Sequence, residues 1–175
     1  MRSFFKVIFA VFAAFPSVAS AEIGAPANDA NEAMAGLYVG QYSVIRDFKD
    51  ASPMFGAEYR YRDVYYGVRP TVGGFVTGDG TVYGSVGINW DLPLGTAPFF
   101  ITPGFGIGGY HQGGGKPLGY ALEFRSTIEA SYQFATHERV GFALSHLSNA
   151  GLGSKNPGVE TFQAVYTVPI GNYYK

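Results

Sequence analysis

From Ala121 to Phe134 the sequence alternates with period two for about 14 residues. One side reads Leu122, Phe124, Ser126, Ile128, Ala130, Tyr132, Phe134, and the other reads Ala121, Glu123, Arg125, Thr127, Glu129, Ser131, Gln133. Period two marks a β-strand with unlike faces. Strands of soluble domains usually run about 5 to 6 residues, whereas a tilted membrane strand needs about 9 to 11. The length therefore favours a membrane barrel, with the apolar side against lipid and the charged side lining a polar lumen.

The pattern recurs. Val82, Gly84, Val86, Ile88, Trp90 and Leu92 oppose Tyr83, Ser85, Gly87, Asn89 and Asp91, while Phe55, Ala57, Tyr59 and Tyr61 oppose Glu58, Arg60 and Arg62. Phe99, Ile101, Phe105 and Ile107 oppose Thr102 and the glycines 104, 106 and 108, which relieve crowding inside a small barrel. Eight such segments emerge, near 36–45, 53–62, 64–76, 81–92, 98–109, 119–134, 139–148 and 160–171. The expected fold is all-β, an eight-stranded antiparallel transmembrane β-barrel of the outer membrane. With both chain ends periplasmic, the short turns fall at Arg62-Asp63, Asp91 to Pro98 and Ala135 to Glu138. The outer loops fall at Arg46 to Ser52, Thr77 to Gly80, Tyr110 to Pro117 and Asn149 to Val159. For the first strand, Leu37 and Val39 against Tyr38, Tyr42 and Val44 leave either face open to the lumen. Glu58, Arg60, Arg62, Arg69, Glu123, Arg125 and Glu129 read as lumen ion pairs, and Lys116 as a solvated loop charge.

The N-terminus carries the parts of a secretory signal: Arg2 and Lys6, an apolar run from Val7 to Phe15, and Ala19-Ser20-Ala21 before Glu22. Residues 1–21 are read as a cleaved signal peptide, 22–35 as a tail and 36–175 as the barrel. With no cysteine, no disulfide framework supports the fold, and a net charge of -1 argues against nucleic-acid binding. The 17% aromatic content and 25 glycines suit an exported β protein. Lys175 departs from the terminal Phe common in outer-membrane chains.

Strand parity also places the chemistry. On the seventh strand Val140, Phe142 and Leu144 share a face that continues through His146 and Ser148. On the eighth, Phe162, Ala164, Tyr166, Val168 and Ile170 share a face that Glu160 extends. The base, hydroxyl and carboxylate therefore point outward, at the external lipid boundary. A register pairing His146 with Glu160 also sets Leu144 opposite Phe162. Same-face residues two apart lie about 6.5 to 7 Å apart at the backbone, within side-chain reach. A carboxylate at the rim costs about 0 to 1 kcal/mol, so two readings stand at this point: tolerated rim residues, or a Ser-His-Glu triad for ester hydrolysis.

The spaced residues His146-x-Ser148-Asn149-x-Gly151 and Asn156-x-Gly158-x-Glu160 resemble the active-site signature of the lipid A 3-O-deacylases, the PagL-type outer-membrane enzymes. The resemblance implies an eight-stranded barrel with Ser148 as nucleophile, His146 as base and Glu160 as its partner. It further implies oxyanion and substrate-positioning roles for Asn149, Gly151 and Asn156. The implied substrate is the 3-linked hydroxyacyl ester of lipid A in lipopolysaccharide, met within the outer-membrane lipid, and no cofactor is implied.

Other patterns carry less. Gly104-x-Gly106-x-x-Gly109 matches a dinucleotide fingerprint but sits in a strand pattern with no helix after it. His111 and His137 read as solvated loop residues, and three histidines on separate segments disfavour a metal site. A non-enzymatic structural or adhesive barrel and a lipid A acyltransferase are the rival readings, and homodimerisation is left open.

Overall fold

The computed structural model describes residues 32–45 and 48–171. The expected signal peptide, most of the tail, Arg46 and Lys175 lie outside them. Eight long strands run through the described chain: β1 (Ala33–Tyr42), β2 (Ser52–Arg60), β3 (Val68–Thr77), β4 (Val82–Trp90), β5 (Phe99–His111), β6 (Leu122–Gln133), β7 (Arg139–Ser148) and β8 (Val159–Ile170). Each pairs antiparallel with its chain neighbours, and β1 closes on β8, so the sheet has no free edge. Closure satisfies every strand's backbone within the sheet, as hydrocarbon requires. A two-residue strand, Leu92–Pro93, pairs alongside β5 below β4.

The expected parity holds around the ring. Leu37, Phe55, Val72, Val86, Ile88, Phe105, Ile128, Phe142 and Leu144 are exposed on the outside. The outward aromatics Tyr59, Trp90 and Phe99 gather toward the end of the barrel that carries Glu32, hereafter the terminal end. The opposite end, with the long connections after β5 and β7, is the loop end.

The first strand settles which of its faces is inside: Tyr38 and Tyr42 are buried in the lumen and Leu37 is exposed. Gly56 on β2 makes room for this choice, because a Cβ there would lie 1.9 Å from the Tyr38 ring. The lumen then divides into two layers. Toward the loop end it is plugged by Tyr42, Met54, Phe75, Tyr83, Tyr110, Leu118, Leu147 and Val159. Toward the terminal end it is ionic: Arg60 pairs with Glu58 and Glu129, and Asp91 accepts from Arg69 at 2.9 Å and lies 2.8 Å from Arg139.

Several boundaries and assignments differ from the sequence reading. β1 begins at Ala33, so residues 33 to 35 of the expected tail belong to the barrel, paired to β8. β3 begins at Val68, not residue 64. Asp63 accepts a hydrogen bond from Gly67 N–H at 2.6 Å, and Tyr66 and Gly67 take positive φ, so the chain turns at 61–67. Arg62 accordingly lies exposed in this turn, 5.5 Å above the Tyr61 ring, and not among the lumen ion pairs. Lys116 is buried rather than solvated, because the loop bearing it folds over the barrel mouth and its carbonyl accepts from Tyr110 Oη at 2.7 Å. His111 ends β5 rather than lying in the loop beyond it.

Candidate active site

β7 and β8 bring the three residues of the proposed triad to one outer face at the loop end. The register pairs His146 with Glu160 and Leu144 with Phe162. Their inward neighbours Ser145, Leu147, Val159 and Thr161 are buried in the lumen, which is why His146, Ser148 and Glu160 must face the other way. His146 Nδ1 and Glu160 Oε1 are 3.2 Å apart, with the histidine side chain 42% exposed and the glutamate 11%. A neutral imidazole donating Nδ1–H to the carboxylate leaves Nε2 with a lone pair. Ser148 stands two residues beyond His146 on the same face and is part-exposed. Its side chain and the His146 ring form no hydrogen bond in this structure.

Glu160 is also fixed from its other side. Its carbonyl accepts from Val44 N–H at 3.1 Å, tying the chain after β1 to the start of β8. Gly158 has φ +61, and a Cβ there would sit 2.6 Å from His146 Cε1. The glycine thus supplies both the left-handed turn and the space that the imidazole occupies.

The loop after Ser148 is tightly bound. Ala150 and Gly151 both have positive φ, and Leu152 N–H donates to Asn149 O at 3.0 Å, closing a tight turn. Asn149 faces inward and is fully buried. Its Nδ2 donates to Leu118 O at 2.9 Å and Lys155 O at 2.8 Å, so it bridges the loops after β5 and β7. Its Oδ1 accepts from Gly151 N–H at 3.0 Å, and its own N–H donates to Asn156 Oδ1 at 3.1 Å. The three residues expected to surround an oxyanion therefore form one network. The Asn149 side chain is a hub inside the barrel mouth, while Asn156 is exposed and, with Oδ1 occupied by Asn149 N–H, has Nδ2 as its donor.

The polar patch is wider than the sequence reading proposed. Ser126 on β6 pairs with His146 and faces outward beside it, and Gln41 on β1 pairs with Phe162. Each interrupts an otherwise apolar outer face, which was the available signal. Below the patch the wall is apolar: Phe142 and Phe162 stack with ring centroids 5.7 Å apart. Farther toward the terminal end lies a trough of about 360 Å³ lined by Phe99, Ala130, Tyr132, Val140, Phe142 and Ala164, among others. His137 lies in the turn before β7, 3.7 Å from Glu32, and among the described residues no group of three or more His, Cys, Asp or Glu could hold a metal ion.

Comparison with known proteins bears on the family and the fold. The family model described as lipid A 3-O-deacylase (PagL) matches residues 41–169. Lipid A deacylase PagL of Pseudomonas aeruginosa is 37% identical over 73 residues, 41% of this chain and 42% of that protein. The Bordetella bronchiseptica protein of the same name is 36% identical over 52 residues, 30% of this chain and 29% of the relative. The matched segments thus span less than half the length of either relative. In three dimensions, the crystal structure of the outer membrane enzyme PagL superposes with a TM-score of 0.60 at 22% identity, covering 78% of this chain and 99% of that one.

Proposed function

This chain belongs to the PagL family of lipid A 3-O-deacylases, and from that premise we propose that it removes the 3-O-linked hydroxyacyl chain of lipid A at the lipid-facing wall of the barrel. The protein is an outer-membrane β-barrel. Ser148 is the nucleophile, His146 the general base and Glu160 the group that holds the imidazole. The observation that carries this reading is the His146 Nδ1 to Glu160 Oε1 contact of 3.2 Å on an outward face that Ser148 shares.

The chemistry follows from that alignment. Ser148 Oγ attacks the ester carbonyl as its proton passes to His146 Nε2, and the imidazolium formed is stabilised by Glu160. The tetrahedral oxyanion is met by Asn156 Nδ2, held in place through Asn149 N–H. Collapse breaks the bond to the sugar oxygen, which leaves with the proton from His146. Water, deprotonated by His146, then attacks the acyl-serine, and the hydroxy acid departs as Ser148 regains its proton. The stacked Phe142–Phe162 wall and the trough below it give the acyl chain an apolar bed inside the leaflet. All three residues come from one chain, so a monomer carries the complete set.

The test is a mass spectrum of lipid A from cells expressing the protein. Loss of one hydroxyacyl group with the native protein, absent with Ser148→Ala, is the expected result. Unchanged lipid A from a folded native barrel points to a structural barrel, and added mass points to an acyltransferase; either overturns the reading.

A further inference from the structure

Glu123, on the inner face of β6, lies directly behind the site. Phe124 pairs with Ser148, so Glu123 occupies the next rung toward the loop end, where Asn149 faces inward. Its carboxyl lies against the Asn149 carboxamide, and the side chain is fully buried. Neither carboxyl oxygen makes a hydrogen bond of normal geometry. The other lumen carboxylates behave differently: Glu58, Glu129 and Asp91 all meet arginines. Arg125, two residues away on the same inner face, turns instead to Ser145 Oγ at 3.2 Å and Tyr38 Oη at 3.4 Å. A buried carboxyl left outside the ion-pair network is costly for stability, and an apolar residue would suit this aromatic layer better. Its backbone carbonyl accepts from Tyr83 Oη at 3.1 Å, while its carboxyl faces the hub of the catalytic loop.

Resting on the proposed deacylase function, we infer that Glu123 is a positioning residue for the Ser148 loop, acting through Asn149. The Asn149 carboxamide ties Leu118 O, Lys155 O and Gly151 N–H together, and its backbone N–H sets Asn156. Glu123 fills the space beneath that carboxamide and keeps it from rotating inward. Asn156 Nδ2 then stays aimed at the ester beside Ser148. Glu123 touches no substrate. Its effect falls on stabilisation of the transition state and not on substrate binding, so it belongs to kcat rather than KM.

The experiment measures deacylation of purified lipid A by refolded full-length protein in detergent, with folding checked by heat-dependent gel mobility. Glu123→Ala is expected to lower kcat about tenfold at unchanged KM, and Glu123→Gln, which keeps the shape and a carboxamide's hydrogen-bonding capacity, to return kcat to within about twofold. In an Asn149→Ala background, Glu123→Ala is expected to have no further effect, because the residue it acts through is gone. Native kcat in folded Glu123→Ala, equal losses in the Gln and Ala variants, or full additivity with Asn149→Ala would each overturn the inference. Should Glu123→Ala fail to fold, the Gln variant and its combination with Asn149→Ala decide the question by the same criteria. An active native enzyme with a dead Ser148→Ala separates this outcome from failure of the deacylase reading, which both of those controls would reveal.

Discussion

Two polar clusters sit toward opposite ends of one barrel and face opposite ways. At the terminal end Arg60, Arg69, Arg139, Asp91 and Glu129 are buried in the lumen, and each charge meets an opposite charge. At the loop end His146, Ser148 and Glu160 turn toward lipid, with only the His146–Glu160 contact directly joining them. In the first cluster every charge is paired inside the lumen, so it can brace the wall. The second leaves a hydroxyl and an imidazole nitrogen uncommitted on the lipid-facing wall. Polar residues in a barrel thus have different meanings according to which face they occupy and whether their bonds are already spent.

Mutation should separate the two clusters cleanly. The largest effect expected is from Ser148→Ala, a fall in kcat on the order of 10³ to 10⁶ with unaltered unfolding midpoint, measured by release of hydroxy fatty acid. Glu160→Ala, which leaves His146 Nδ1 without its partner, should cost on the order of 10² to 10⁴ in kcat in the same assay. Arg60→Met reverses the pattern: stranding Glu129 should cost about 3 to 5 kcal/mol in urea unfolding from lipid vesicles while activity per folded barrel stays within about twofold. If Arg60→Met silenced the folded enzyme, the division between brace and site would fail. Gly158→Ala combines a strained φ with a contact on the imidazole and should lower kcat about tenfold.

The smallest effect concerns the loop after β3. Burial opposes ionisation of Asp79, yet hydrogen bonds from Thr77 Oγ1, Thr81 N–H and Thr81 Oγ1 hold its carboxyl below the usual range. A lowered carboxyl contributes stability at neutral pH that disappears as pH falls below about 4, through the folded-state value. Asp79→Asn should therefore remove a small acid-dependent component from loop stability, seen as a drop in amide protection factor at low pH in the native loop that is absent in the variant, and leave catalysis unchanged.

Much of the wall was legible because lipid and lumen impose opposite chemistry on alternate residues. That rule placed Val140 through Ser148 and Glu160 through Ile170 on their outer faces and found the pairing of Leu144 with Phe162. It failed where both faces are apolar. Leu37 and Tyr38 could not be sorted from β1 alone, since the choice depends on Gly56 of the next strand leaving room for the tyrosine ring. It also failed at 61–67, where the β-favouring Val64, Tyr65 and Tyr66 suggested the start of a strand but Asp63 and Gly67 close a turn. In the loops no period operates. Asn149 was therefore legible as a member of the motif but not as an inward hub, because its bonds to Leu118 and Lys155 join segments far apart in sequence. Gly158 stood within the same motif, yet its reason, the imidazole packed on its Cα, exists only once β7 and β8 are paired.

Covalent trapping of the nucleophile tests the lipid-facing site most directly. The purified barrel in detergent is exposed to a long-chain alkyl fluorophosphonate, which phosphonylates activated serines, and its intact mass and peptide map are recorded. One adduct on the peptide carrying Ser148, lost in His146→Ala, is the expected result. A native, catalytically active barrel that takes no adduct, or takes it on another serine, would contradict the assignment of Ser148 and His146 as a working pair.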